Sequence, residues 1–172
     1  MRDDRAARRF GLGMMLLFWA LLIVSGSWWF HLYLEERRNP NTHLAQVSDG
    51  GEPVRLKRNA GGHFVATGRI NGEPVEFMID TGASYVALSE ELAERLGLAV
   101  GASAWFQTAS GRSRGYLTTL DEVTLGGLSA HRIRGAINPG MSPDLALLGM
   151  SFLNHFDIQI RGEEMILSTP RR

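Results

Sequence analysis

Apolar residues divide the chain into three stretches of different period. From Phe10 to Leu34 there is no Asp, Glu, Lys or Arg, and Leu, Met, Phe, Ile and Val dominate. The run exceeds the roughly 20 residues a helix needs to cross a bilayer, so it predicts a transmembrane helix over residues 10–34. Trp28, Trp29 and Tyr33 gather near its end, as amphipathic rings do at the lipid headgroup level. Residues 35–60 lack periodicity and are rich in polar residues, Gly and Pro, including Asn39-Pro40-Asn41 and Asp49-Gly50-Gly51-Glu52-Pro53. That composition predicts a linker, with room for a short strand at Val54-Arg55-Leu56.

From Gly62 onward the period becomes that of strands. Phe64 to Ile70, then Asn71-Gly72, then Val75 to Ile79 is a hairpin pattern, in which Asn-Gly supplies the positive φ values of a tight turn. Tyr85 to Leu88 is a further short apolar strand. Ser89 to Gly97 predicts a helix, with Ser89 as N-cap, Glu90 and Glu91 at the positive end of its dipole and Gly97 at its C-terminal cap. Trp105 to Gly126 reads as two strands about the polar turn Thr108-Ala109-Ser110-Gly111-Arg112, followed by a third strand. Leu128 to Ile137 pairs next. Leu145 to Gly149 is a short, fully apolar strand stopped by glycine, and a last hairpin joins Phe156–Ile160 to Glu163–Leu167 about Arg161-Gly162. Many short strands with one clear helix predict an all-β domain, a small closed barrel over residues 61–172.

Charge orients the first segment. Arg2, Arg5, Arg8 and Arg9 precede the span, whereas only Arg37 and Arg38 follow it closely. The positive-inside rule then places the basic head, residues 1–9, in the cytoplasm and the remaining domain outside, in a single-pass inner-membrane arrangement. A cleaved signal peptide is the rival, since the arginines resemble its charged head and Val24-Ser25-Gly26 offers small residues. Against it stand the length of the run and the bulky Trp28-Trp29-Phe30 just beyond the only plausible cut. The chain has 172 residues, no net charge and no cysteine, which removes thiol catalysis, disulfides and zinc–thiolate sites and argues against a nucleic-acid partner. His31, His43, His63, His131 and His155 show no metal-ligand spacing, so no metal and no cofactor is expected.

The candidate chemistry lies at Asp80-Thr81-Gly82, which closes the apolar run Val75-Glu76-Phe77-Met78-Ile79 and is followed by Ala83-Ser84. A carboxylate at the end of an apolar strand is partly desolvated, a hydroxyl beside it can brace the loop, and glycine lets the backbone turn and leaves room for a substrate. Those properties fit half of an aspartic protease site. A plain surface turn uses the same three residue types.

Order and spacing extend the match. A hairpin, Asp-Thr-Gly-Ala-Ser, a short strand, a polar-tipped hairpin and then Leu147-Leu148-Gly149-Met150-Ser151-Phe152-Leu153, some seventy residues after the aspartate, resemble the retropepsin-like aspartic proteases, in particular their bacterial membrane-anchored members. The resemblance covers about 110 residues, one retroviral-type protomer. It implies that Asp80 is the catalytic carboxylate, that the Thr81 hydroxyl locks two active-site loops together, and that Gly82 accepts the substrate backbone. The resemblance further implies that Ala83, with Ser110 and Gly111 at the tip of a flap, joins Gly82 in binding substrate. Gly149 ends a buried strand behind the catalytic loop. Two departures stand out: the flap tip is polar, with Arg112 and Arg114 close by, and Ala83 occupies a position where pepsin-like enzymes carry Ser or Thr.

The implied chemistry needs two carboxylates sharing a proton, and no other Asp in this sequence is followed by Thr-Gly or Ser-Gly. A homodimer is therefore expected, acting as an endopeptidase on peptides or proteins. Two other readings stay open on sequence alone: a membrane-tethered peptide-binding module of the same fold, and a structural β domain in which Asp80 only caps a turn.

Overall fold

A computed structural model describes residues 3–46, 52–108 and 111–170. The chain divides into two units, Met1–Arg37 and Arg38–Arg172. In the first, α1 spans Asp3–Arg38. Its segment Gly11–Arg38 is long and apolar enough to cross a membrane, and none of its most apolar window is buried by protein. The helix continues past the expected end at Leu34 because Glu35-Glu36-Arg37-Arg38 are good helix formers; Asn39-Pro40 stops it, since the residue before proline is pushed out of helical geometry. Trp29 stacks on Tyr33 with ring centroids 6.0 Å apart.

The second unit begins with a 3-10 turn, Thr42–Gln46, and β1, Val54–Lys57. β2 (Val65–Ile70), β3 (Glu73–Ile79), β4 (Val86–Leu88), α2 (Glu90–Arg95) and β5 (Ser103–Thr108) follow. Then come β6 (Gly111–Leu125), β7 (Leu128–Ile137), β8 (Ala146–Leu148), α3 (Met150–Leu153), β9 (Asp157–Arg161) and β10 (Glu164–Ser168). The strand order β2-β3-β8-β4-β7-β6 closes on itself where Arg69 and Ile70 of β2 pair with Thr124 and Val123 of β6. The result is the expected all-β closed barrel, with β5 folded out from β6. Inside it Phe77, Leu88, Leu120, Ile133, Ile137, Leu148 and Phe152 are fully or almost fully buried. A second sheet, β1-β10-β9, lies in the same unit.

Local signals appear where the sequence places them. Asn71 and Gly72 take φ values of 50° and 86° between paired Ile70 and Glu73. Ser89 Oγ accepts the Leu92 N–H at 3.0 Å to cap α2. Gly97, at φ 64°, ends it, and Leu98 N–H returns to the Ala93 carbonyl, the bonding that closes a helix end on glycine.

Three local expectations differ. The two strands expected after the polar turn are one continuous strand, β6. Gly115 marks close packing within it, since a Cβ there would stand 2.3 Å from the Ile137 carbonyl oxygen. The last hairpin turns about Gly162-Glu163 rather than Arg161-Gly162, so Arg161 belongs to β9 and pairs with Glu164. Within 35–60, the stretch read as linker, Asn39, Asn41, Leu44, Val54 and Leu56 are buried in the domain. Asn41 donates to the carbonyls of Lys57 (2.9 Å) and Val65 (2.7 Å) and accepts the Lys57 N–H (2.9 Å). Asn39 donates to Thr67 Oγ1 and to Glu76 Oε2. Side-chain amides thus do the ordering that a strand ladder would otherwise do, and such bonding leaves no periodic trace in the sequence.

Candidate active site

β3 delivers Asp80. Ile79 is buried and paired in parallel with Leu148 of β8, and the Asp80 N–H continues that ladder to the Leu148 carbonyl at 3.2 Å. Beyond it the chain turns tightly: Asp80 Oδ1 accepts the Gly82 N–H at 2.8 Å, and the Asp80 carbonyl accepts the Ala83 N–H at 3.2 Å. A carboxylate that accepts a backbone N–H is fixed in orientation while its other oxygen stays available for chemistry.

Of the two reasons the sequence suggests for Gly82, a turn and room beside the carboxylate, the geometry favours the second. Its φ lies outside the left-handed region, so the turn itself does not require it. A Cβ would instead stand 3.1 Å from Asp80 Oδ1, closing the space beside the carboxylate. Thr81 and Gly82 are exposed and Asp80 is partly exposed. Among the described residues the Thr81 hydroxyl has no hydrogen-bond partner in the single chain.

The loop rests on the start of α3. Met150 N–H donates to the Ala83 carbonyl at 2.8 Å and Ser151 N–H to the Ser84 carbonyl at 3.0 Å. Gly149 makes this approach possible: a Cβ there would lie 2.2 Å from the Tyr85 carbonyl oxygen and 2.6 Å from that of Ala83. Ser151 is a positioning residue that sequence reasoning missed. Its Oγ accepts the Val86 N–H at 3.0 Å and donates to the Arg134 carbonyl at 2.7 Å, tying β4 to β7 behind the loop. Its place two residues after Gly149 was the available signal.

β5 and the first half of β6 form the flap-like hairpin, with Thr108 paired to Gly111. Gly111, at φ 116°, opens β6, and Ser110 lies outside the described residues. Phe106 meets Tyr85 edge-on, with centroids 6.1 Å apart and planes at 88°, and the Arg134 guanidinium lies 5.5 Å from the centroid of the same Tyr85 ring. On the other face of the hairpin Trp105 is 64% exposed and carries Arg112 at 5.3 Å. Thus Tyr85, Phe106 and Arg134, none singled out from sequence, link the Asp80 loop to the flap. Residues far apart in the chain meet here, and only alternation along β5 hinted that Phe106 points inward.

Comparison with known proteins agrees with this geometry. Residues 66–155 match the family described as "gag-polyprotein putative aspartyl protease". The crystal structure of a retropepsin-like aspartic protease from Rickettsia conorii superposes with a TM-score of 0.59 at 33% identity, covering 67% of this chain and 98% of that one. An uncharacterized protein from the region 5′ of cobV in Sinorhizobium is 33% identical over 124 residues, 70% of this chain and 53% of its own length. An uncharacterized protein of Rickettsia prowazekii is 29% identical over 153 residues, 86% of this chain and 65% of its own. The chain therefore spans between about half and two thirds of the length of these curated relatives. A closed barrel, an Asp-Thr-Gly loop backed by a glycine-ended strand and a family match over half the chain converge: this chain belongs to the retropepsin-like aspartic proteases.

Proposed function

We propose that the chain is a membrane-anchored aspartic endopeptidase that hydrolyses peptide bonds as a homodimer, with Asp80 contributed by each copy. The observation that carries this reading is the Asp80 loop: a partly exposed carboxylate, held by one backbone N–H, with cleared space at Gly82 beside it. One such loop per chain supplies one carboxylate. Two copies across a two-fold axis supply the pair: the ionised member takes a proton from water as the water attacks the peptide carbonyl, and the protonated member hydrogen-bonds the carbonyl oxygen. The exposed Thr81 hydroxyl fits a brace that finds its partner across the axis. Gly82, Ala83, Ser110 and Gly111 are assigned to substrate binding from floor and flap.

The apolar helix is assigned as a single-pass anchor, with the N-terminus cytoplasmic and the barrel extracytoplasmic, on the arginine asymmetry around it. Confinement to a membrane plane raises the effective concentration of the two copies. Reporter fusions after Leu34 that are active only in the cytoplasm would overturn this orientation.

Cleavage of a peptide library by the purified protein beside its Asp80→Asn variant tests the activity. Asp80→Asn is expected to lower turnover by at least about 10³-fold, within the span of acid–base contributions, with unchanged thermal unfolding. Turnover retained by the folded variant would remove Asp80 from the mechanism. Only the singly protonated pair is competent, so activity against pH should trace a bell.

A further inference from the structure

Between the apolar helix and the barrel the chain has no length to spare. α1 ends at Arg38, and the barrel unit begins with the same residue. The Arg38 guanidinium meets Glu76 Oε1 at 2.8 Å, and the Asn59 amide donates to the Arg38 carbonyl at 3.0 Å. Asn39 Nδ2 donates to the other oxygen of the Glu76 carboxylate at 3.0 Å, and Asn39 Oδ1 accepts the Asn41 N–H at 3.1 Å. Both asparagines are almost fully buried. The exposed ion pair contributes little by itself. The amides hold the segment, because withdrawing Asn41 would leave the Lys57 and Val65 backbone groups it satisfies without a partner.

Magnitudes show what this junction does to reach. Trp28, Trp29 and Tyr33 mark the lipid headgroup level on the helix. Arg38 follows Tyr33 by five residues, about 8 Å along a helix axis. A compact unit of the barrel's length has a radius of gyration of about 14 Å and measures about 36 Å across. Whichever way the barrel turns, no part of it then stands more than about 45 Å above the headgroups. Residues 35–60 as a flexible linker would have added about 28 Å of r.m.s. reach, which the buried asparagines take away.

We propose that this protease cuts only close to the membrane that holds it, and that its substrates are the juxtamembrane segments of proteins embedded in the same bilayer. The inference rests on the reading of the chain as a membrane-anchored endopeptidase. A segment leaving a neighbouring span crosses the accessible layer within its first 14 or so extended residues, at about 3.3 Å each. A segment held higher by a folded domain stays out of reach, and tethering gives no advantage where geometry forbids the two sites to meet.

Full-length protein reconstituted in liposomes with a single-span reporter tests this. The reporter carries the best-cleaved peptide of the library, placed directly after its span or lifted about 70 Å by a stiff array of helical repeats. In liposomes the low site should be cut at least about tenfold faster than the lifted one, and in detergent, where no bilayer sets a height, the two should be cut alike. Inserting about 60 Gly and Ser residues between Arg37 and Arg38 adds about 40 Å of r.m.s. reach and should bring the two rates in liposomes within about threefold. Equal rates for the wild type in liposomes overturn the inference and leave the endopeptidase reading standing. So does a preference that survives the insertion in a variant still cleaving the free peptide at the wild-type rate. Should the insertion variant lose activity on the free peptide, the wild-type comparison between liposomes and detergent decides alone. A wild type that cleaves no peptide, or a mature N-terminus near Ser27, overturns both readings.

Discussion

The floor of the candidate active site and the flap above it are both hairpin-derived, yet they are held in opposite ways. The Asp80 loop is committed at nearly every step: Asp80 to Leu148, Gly82 to Asp80, Ala83 and Ser84 to α3, Val86 to Ser151. The flap hairpin has its own ladder, but the ring contact of Phe106 with Tyr85 and the bond of Ser113 to Asn138 are its main side-chain ties to the rest of the barrel. Backbone hydrogen bonds in a packed setting fix a carboxylate to within tenths of an ångström, whereas an edge-on aromatic contact tolerates sliding. A fixed floor beneath a loosely tied roof is what a protease needs, because a peptide must enter before it can be held.

Filling the space behind the floor should break this contrast most severely. Gly149→Ala forces a Cβ against two carbonyl oxygens that have no freedom to retreat, so we expect destabilisation of about 3 kcal/mol or more and a Tm lower by on the order of 10 °C. Calorimetry of the purified variant reads this directly. An unchanged Tm would mean that the loop is looser than its hydrogen bonds imply.

Ser151→Ala removes one donor and one acceptor bond and leaves the Val86 N–H and the Arg134 carbonyl short of a partner. The expected cost is about 1–3 kcal/mol. Activity should fall in kcat rather than KM, since the floor shifts while the cleft walls stay in place. Ser151→Thr, which keeps the hydroxyl, should recover most of the loss.

Phe106→Ala tests the roof. Losing the edge-on pair is worth about 0.5–1.5 kcal/mol, and it should appear mainly as a KM increase of roughly three- to tenfold with little change in Tm. A Tm loss matching that of Gly149→Ala would show that the flap is as structural as the floor. The smallest effect is expected at Arg112→Ala on the outer face, where an exposed cation–π contact contributes about 0.5–1 kcal/mol. Cleavage of small peptides should be nearly unaffected, measured as kcat/KM.

Much of this molecule is written in short segments. The Asn71-Gly72 turn, the Ser89 and Gly97 caps, the alternation along β2, β3 and β7, the apolar run and the Asp80-Thr81-Gly82 loop each depend on residues within one element. For these the sequence carries the physics directly, through φ preference, side-chain capping and the period of burial. The placement of the candidate site's residues was legible to the same depth: Asp80 at a strand end, Gly82 beside it, Gly149 at the end of an apolar strand.

Tertiary structure decided what depends on two distant segments meeting. Asn39 and Asn41 look like loop residues until Thr67, Val65 and Lys57 arrive to satisfy their amides. Ser151 is an ordinary small polar residue until β4 and β7 present an N–H and a carbonyl to one oxygen. Gly82 and Gly149 are needed for space rather than for φ, and space exists only once the carboxylate and the neighbouring carbonyls are in place. The Arg161 position followed from a one-residue shift in a turn, which moves the pairing of β9 on β10 by two residues, setting Ile160 opposite Met165 instead of Glu163, and leaves each side chain on its own face. Local sequence fixes backbone preference and burial period. Which donor meets which acceptor, and which cavity a missing Cβ must keep open, is set only when the barrel closes between β2 and β6.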